Sequence, residues 1–195
     1  MSRSERTRER ILQATRELME TRPGAPVSMA DIADAAGVTR QLLYVHFENR
    51  TALLVELSRR LDADARTPAL QATIDQAPSG RDALRAAVRV QAAIKPMIHG
   101  LATSLELLRT TDDAAAAACD EREAARLRRC RAVIDRVANE GDLTTGWSRT
   151  AAAELFWSLT SLRSWEDLVQ RRSWTSATWV KRITTALESA LLTPR

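Results

Sequence analysis

Apolar residues recur along most of the chain at the three- and four-residue spacing of amphipathic helices, and alternating runs typical of strands do not occur. The first helical pattern covers residues 5–20 and a short second one covers residues 29–36. A further short helix is predicted over residues 40–46, and a longer one begins at 48 or 49 and runs to about residue 66. The pattern predicts an all-α chain that begins with three helices around a shared core.

The two short helices carry the signals of a sharp turn between them. Ser28 and Thr39 stand at N-cap positions, where a side-chain oxygen accepts a hydrogen bond from the first turn, and Asp31 adds negative charge to the first cap. Gly37 is the residue best able to adopt the left-handed backbone that ends a helix. A short helix, a glycine turn and a second short helix form a helix-turn-helix motif.

The second helix of such a motif enters the major groove of DNA, and its N-terminal residues reach base edges. Arg40 can bind guanine O6 and N7, Gln41 can pair with adenine N6 and N7, and an outward Leu42 can meet a thymine methyl. Donors around the same end suit phosphate oxygens, and they are Ser28, Thr39, Tyr44, His46 and Arg50. Two alternatives stay open: Leu42 as a core residue, and a three-helix unit that packs without binding DNA.

Residues 27–54, VSMADIADAAGVTRQLLYVHFENRTALL, resemble the DNA-binding signature of the TetR family of transcriptional repressors. The shared features are the capped helix, the Ala-Gly-Val turn and the Tyr44-x-His46-Phe47 run, and the resemblance extends over about residues 6–57. It implies a repressor whose variable helical C-terminal domain binds a ligand and whose last two helices form a dimer.

The chain departs from the family pattern at three positions. The family often has glycine where Gln41 stands, a small or hydroxyl residue where Leu42 stands, and lysine where Arg50 stands. The first two departures leave the operator sequence open, whereas the third keeps a positive charge at a phosphate-binding position.

The chain is expected to divide into a helix-turn-helix domain over residues 1–50, a linking helix over about 49–66, and a helical ligand-binding and dimerisation domain over residues 67–195. Helices in the second domain are predicted near 81–95, 97–109, 113–139, 148–171 and 176–192. The last two are apolar over an arc wide enough to be buried on two sides, which predicts a dimer interface. Its expected residues are Phe156, Leu162, Trp165, Trp179, Val180, Ile183 and Leu187.

Polar residues on apolar stripes are candidates for a ligand pocket. Gln91 interrupts one such stripe, Trp157 lies beside small residues, and Arg122 or Arg126 can meet an anionic group. Apolar candidates on the intervening helix are Met97, Leu101, Leu105 and Leu108. The expected effector is largely apolar. A packed core without a pocket would show the same pattern.

Charge and cysteine content exclude several classes of protein. A net charge of +4 does not by itself indicate nucleic acid, and no apolar run reaches the length of a membrane span. A charged N-terminus in place of a signal peptide predicts a cytoplasmic protein. The cysteines and histidines, at 119, 130, 46 and 99, lack the close pairs of a zinc site. We therefore expect no metal, cofactor or catalytic residue.

The hypothesis from the sequence is a homodimeric regulator, not an enzyme, that binds a double-stranded DNA operator and is released by a small-molecule effector. The alternative is a ligand-independent dimeric or architectural DNA-binding protein.

Overall fold

The computed structural model describes residues 2–21, 27–63 and 66–194, and helices account for most of them. The helices are α1 (Arg3–Thr21), α2 (Met29–Ala35), α3 (Arg40–His46), α4 (Arg50–Ala63), α5 (Arg66–Asp75), α6 (Gly80–Leu108), α7 (Asp113–Asn139), α8 (Arg149–Leu159), α9 (Leu162–Trp165) and α10 (Ser176–Leu191). A π-helical turn, Glu166–Gln170, follows α9. The described residues form no strand, so the all-α prediction is confirmed.

Two compact units share the chain, and two long helices contribute to both. The first unit combines Met1–Asp64 with Pro96–Glu121, and the second combines Ala65–Lys95 with Arg122–Arg195. Residues 96–121 belong to the first unit because the second half of α6 buries its apolar face, including Leu101 and Leu105, in the same core as α1 to α4. The compact units thus differ from the expected division into residues 1–50 and 67–195.

Helices α1 to α4 pack around one core in the first unit, and each of them contributes buried residues to it. Ile11, Ile32, Leu43 and Leu53 are fully buried there. Gly100 of α6 lets that helix approach α1 closely, because a Cβ at this position would lie 2.9 Å from the carbonyl oxygen of Met19.

Three features of the second half differ from the sequence predictions. The helices expected near 81–95 and 97–109 form one helix, α6, which continues through Pro96. A proline removes only one backbone donor, and residues of α6 both before and after Pro96 are packed in a core. The helix expected over 148–171 ends at Leu159, because Ser161 caps a new helix by accepting from Ser164 N at 3.0 Å. Helix α5 was not predicted, since its apolar positions are few.

Candidate functional site

One side of helix α3 packs against the core of the first unit, and the other side is exposed. Leu43 is buried in the core of the first unit, and Phe47 closes the helix by donating its N–H to the Leu43 carbonyl. Thr39 begins the helix as predicted, its hydroxyl oxygen accepting a hydrogen bond from Leu42 N at 3.1 Å. A short helix with one buried residue and a capped N-terminus can present its remaining side chains to a ligand surface.

The residues expected to read bases all lie on that open side. Arg40 and Gln41 are exposed, and Leu42 is 38% exposed, so its alternative as a core residue is not what the structure shows. Two more exposed side chains extend the surface: Tyr44 at 51% and Val45 at 74%. Val45 was missed by the sequence reasoning, although its exposure makes it a second apolar side chain for a thymine methyl.

The turn before α3 has the predicted geometry. Gly37 has a φ of 59°, the left-handed conformation that glycine adopts without strain. Ser28 and Asp31 form a reciprocal capping box, in which Ser28 Oγ accepts from Asp31 N and the Asp31 carboxylate accepts from Ser28 N at 2.9 Å. The Ser28 hydroxyl also donates to Asp31 Oδ2 at 2.5 Å, so a phosphate would have to replace that bond to accept from it.

The other residues expected to bind phosphate differ in burial and in the hydrogen bonds they already make. The Thr39 oxygen accepts the cap hydrogen bond, which leaves its hydroxyl proton available to donate. His46 is half-buried, and its carbonyl oxygen accepts from Arg8. Arg50 is half-buried, its Nε has no hydrogen-bond partner in the described part of the chain, and burial lowers the pKa of its guanidinium. A guanidinium whose Nε has no partner among the described residues can donate to an external anion.

Arg8 holds α1 against the end of α3, a role that the sequence did not reveal. Its Nη1 donates to the His46 carbonyl at 2.6 Å, and its guanidinium lies 4.2 Å from the centre of the Phe47 ring. The two residues are 38 positions apart, so no local pattern could have paired them. Arg8 is a positioning residue for the exposed helix.

A second polar contact fixes α4 next to the candidate surface. Thr51 Oγ1 donates to Asp112 Oδ2 at 2.6 Å, and Asp112 also accepts from the backbone N–H groups of Ala114 and Ala115. These hydrogen bonds, first that from Thr51, lower the pKa of Asp112 from its ordinary value. The carboxylate therefore joins the start of α4 to the start of α7 within the first unit.

The second unit contains a cavity of about 250 Å³ between α5, α6, α7 and α8. Its apolar wall includes Ala87, Val133 and Phe156, and its polar wall includes Gln91. Cys130 also lines it, and burial raises the pKa of this thiol to about 11, so the cysteine is protonated at neutral pH. Of the expected ligand residues, Gln91 is the one that lines this cavity.

The remaining ligand candidates do not gather at this cavity. Leu101, Leu105 and Leu108 pack in or against the core of the first unit, and Met97 is a half-buried residue of that unit. They lie apart from Gln91, since the apolar stripe of α6 divides between two cores.

The other three candidates lie on α7 and α8, away from the cavity wall. Arg126 donates to the Trp157 carbonyl at 2.6 Å, and its guanidinium lies 4.8 Å from the Trp157 ring. Arg126 and Trp157 thus bind each other, and Arg122 is half-buried on α7. None of the three lines the cavity.

Lys95 was missed as a candidate, although it continues the apolar stripe that Gln91 interrupts. Its side chain is only 2% exposed. Its Nζ donates to Gln91 Oε1 at 2.8 Å and lies 5.7 Å from the centre of the Trp179 ring. Burial lowers the pKa of Lys95 to about 7, with a smaller contribution from the positive charge of Arg126.

The residues expected at a dimer interface are mostly inside their own chain. Phe156, Trp165, Trp179, Ile183 and Leu187 are buried in the core of the second unit. The wide apolar arc of these helices is therefore covered within one chain, which leaves these five side chains little surface for a partner. Leu162 and Val180 remain half-buried and retain surface that a second chain could cover.

The described residues contain no group of three or more His, Cys, Asp or Glu side chains placed to hold a metal ion. Among the helices of the described segments, none is long and apolar enough to cross a membrane.

Comparison with known proteins gives matches to both the N-terminal segment and the whole fold. Residues 11–57 match the model of the bacterial regulatory proteins of the tetR family. The HTH-type transcriptional regulator AlkX from Mycobacterium tuberculosis is 35% identical over 68 residues, which are 35% of this chain and 32% of that protein. The aligned segment thus spans about a third of that regulator's length.

Two solved structures resemble the chain over nearly its full length. FadR from Bacillus subtilis, in complex with stearoyl-CoA, has a TM-score of 0.72 at 15% identity and covers 93% of this chain and 97% of its own. NalD, the secondary repressor of the MexAB-OprM multidrug efflux pump in Pseudomonas aeruginosa, has a TM-score of 0.65 at 23% identity and covers 98% of this chain and 100% of its own. At these identities the likeness concerns the fold.

Proposed function

Because this chain belongs to the TetR family of transcriptional regulators, which bind DNA and are not enzymes, we propose that it binds a specific duplex site through α3 and represses transcription there. In this proposal it binds as a homodimer, and a small molecule in the second unit releases it. The observation that carries the proposal is the row of exposed side chains on α3, held from behind by the buried Leu43.

The exposed side chains divide into two roles by their chemistry. Arg40 and Gln41 carry paired donors or donor–acceptor groups that match guanine and adenine edges, and Leu42 with Val45 offers apolar contact to thymine methyl groups. Thr39, Tyr44 and Arg50 are donors for phosphates, which position the helix without specifying sequence. The half-buried His46 offers its imidazole N–H as a donor to a phosphate.

Dimerisation follows from the symmetry of operator binding, since a pair of recognition helices reads two half-sites about one helical turn apart. Helices α8 and α10 contact each other in the second unit, and apolar side chains on and just after them stay partly uncovered. We assign the partner surface to this region, with Leu162 and Val180 in contact.

Release by an effector is supported by the cavity in the second unit and by the ligand named for FadR, which is of similar fold. A ligand releases DNA only by favouring a conformation that binds DNA less well. Repression, the role named for NalD, is proposed here for the same reason of fold.

The proposal is tested by selecting binding sites from a pool of random duplex DNA with the purified protein. We expect an enriched, near-palindromic site whose log affinity falls steeply with log salt concentration, because arginine contacts that neutralise phosphates release counterions. A pool that stays random after repeated rounds would overturn sequence-specific binding, and an enriched site without two-fold symmetry would overturn the dimer.

A further inference from the structure

The cavity of the second unit is lined by both apolar and polar side chains. Ala87, Val133 and Phe156 are among the apolar ones, and Gln91 on α6 is one of the polar ones. A cavity of about 250 Å³ lies just below the roughly 300 to 1,000 Å³ that ligand pockets typically enclose, so it suits a compact molecule.

The hydrogen bond from Lys95 fixes which way the Gln91 amide faces. An ammonium has three donors and no acceptor, so the Gln91 atom 2.8 Å from Nζ is the oxygen. The amide NH₂ group is therefore turned away from Lys95, and it has no hydrogen-bond partner elsewhere in the described chain. A residue that lines the cavity thus keeps two donors for an acceptor that enters it.

The Lys95 charge next to Gln91 favours an anion. Lys95 faces Gln91 on its own helix, Glu123, Arg126 and Cys130 on α7, and the uncharged Trp179 ring on α10. Glu123 is paired with Arg126 at 2.8 Å, which leaves the Lys95 ammonium without a carboxylate of its own among the described ion pairs. The cavity wall also includes Arg129, Arg136 and Asp75, and Arg136 is paired with Glu140 at 3.3 Å, so Arg129 adds a positive charge and Asp75 a negative one.

We propose that the cavity binds a compact aryl or alkyl carboxylate, whose apolar part packs on Phe156 and Val133 and whose carboxylate accepts from the Gln91 amide with the Lys95 charge behind it. This ligand is the effector only if the proposed function is right, but its binding does not require DNA. A buried ammonium lowers the stability of the folded chain, and buried ionisable groups with shifted pKa values cluster at functional sites.

Binding is measured by isothermal titration calorimetry of the full-length protein with benzoate, and with benzamide as the neutral molecule of the same size. We expect benzoate to bind at least about tenfold more tightly than benzamide near pH 6.5, because the amide carries no negative charge. Benzoate affinity should fall by about tenfold between pH 6.5 and pH 9, as the Lys95 ammonium loses its proton, whereas benzamide affinity should not change. Benzoate binding at pH 7 should also take up about half a proton, seen as a dependence on the ionisation enthalpy of the buffer.

Two variants identify the residues. Lys95→Met should weaken benzoate by at least about tenfold and abolish the pH dependence, and Gln91→Met should weaken it by about fivefold while keeping the pH dependence. Arg89→Met is the matched control, because it removes one positive charge from an exposed position of α6 and should leave affinity within about twofold.

Equal binding of benzoate and benzamide, or unchanged benzoate binding in both Lys95→Met and Gln91→Met, would overturn the inference. A protein that selects a DNA site yet binds no benzoate would overturn it too, while leaving the proposed function in place. Benzoate binding with the expected pH dependence in a protein that selects no DNA site would support the inference and contradict the proposed function.

Discussion

Replacing Lys95 with methionine should make the protein more stable at neutral pH. The side chain is 2% exposed, donates one hydrogen bond to Gln91 and has no carboxylate within ion-pair distance in the described structure. Methionine has a similar length and adapts to irregular core space, so the substitution removes the charge without leaving a large cavity.

The magnitude follows from the pKa of the lysine. Burial lowers this pKa from 10.5 to about 7. At about 1.36 kcal/mol for each pKa unit, the buried ammonium lowers the free energy of unfolding by about 5 kcal/mol when it is fully charged below pH 7. Loss of the hydrogen bond to Gln91 and of the contact between the ammonium and the Trp179 ring together costs about 2 kcal/mol in the opposite direction. The variant should therefore be about 3 kcal/mol more stable at pH 6.

The pH dependence of stability shows independently that the charged Lys95 destabilises the folded chain. Between pH 7 and pH 10.5 the unfolded chain holds a proton on Lys95 that the folded chain has lost, so wild-type stability contains a term that rises with pH. The gain from Lys95→Met should therefore shrink above pH 7 and disappear toward pH 10. Urea unfolding followed by circular dichroism, at pH 6 to 10 and one fixed protein concentration, measures this difference.

Arg89→Met, at an exposed position of the same helix, should change stability by less than about 0.5 kcal/mol at every pH. If Lys95→Met is less stable than wild type at pH 6, or if its effect is the same at pH 6 and pH 10, the reasoning about the buried charge is refuted.

Three further predictions concern single contacts. Arg8→Ala should cost about 1 to 2 kcal/mol in urea unfolding through loss of the His46 hydrogen bond and the Phe47 contact, and should weaken DNA binding, whereas Arg10→Ala at an exposed site of α1 should do neither. Gly100→Ala should lower stability by about 1 to 3 kcal/mol, because the new Cβ would lie 2.9 Å from the Met19 carbonyl oxygen, although alanine favours a helix over glycine by about 1 kcal/mol. Gly146→Ala is the control and should be near neutral, since a Cβ there has nothing within 4 Å. Equal effects of the two substitutions would contradict the close approach. Val180→Asp together with Leu162→Asp should give a folded monomer by light scattering, and a surviving dimer would place the interface elsewhere.

The N-terminal motif could be predicted because its determinants are local. The caps at Ser28 and Thr39 act within three residues, and the left-handed turn at Gly37 requires only a residue without a side chain. Arg40 and Gln41 stand at the start of the second short helix, the position that predicts access to DNA, and both are exposed in the structure. The open choice at Leu42 was decided by the structure, since a residue beside a buried Leu43 can point either way in a short helix.

The C-terminal half could be predicted only in part, because burial there depends on contacts between distant residues. Apolar periodicity located α7 and α10, but it could not show that the stripe of α6 serves two cores on either side of Pro96. For the same reason Trp179 was expected at a dimer interface, since the sequence of an apolar helix face does not show whether its own chain or a partner covers it. Lys95 was overlooked because lysine is seldom buried.

The central claim is that α3 reads DNA sequence, and it is tested most directly by comparing Arg40→Ala with Arg50→Ala on the selected site and on each of its single-base variants. Arg40→Ala should cost about 1 to 3 kcal/mol on the selected site and remove the preference at one base pair of each half-site. Arg50→Ala should weaken binding to all duplexes alike and reduce the slope of log affinity against log salt by about 1 per half-site. If both variants lose the same affinity on every duplex, Arg40 does not read a base and α3 is not the recognition helix.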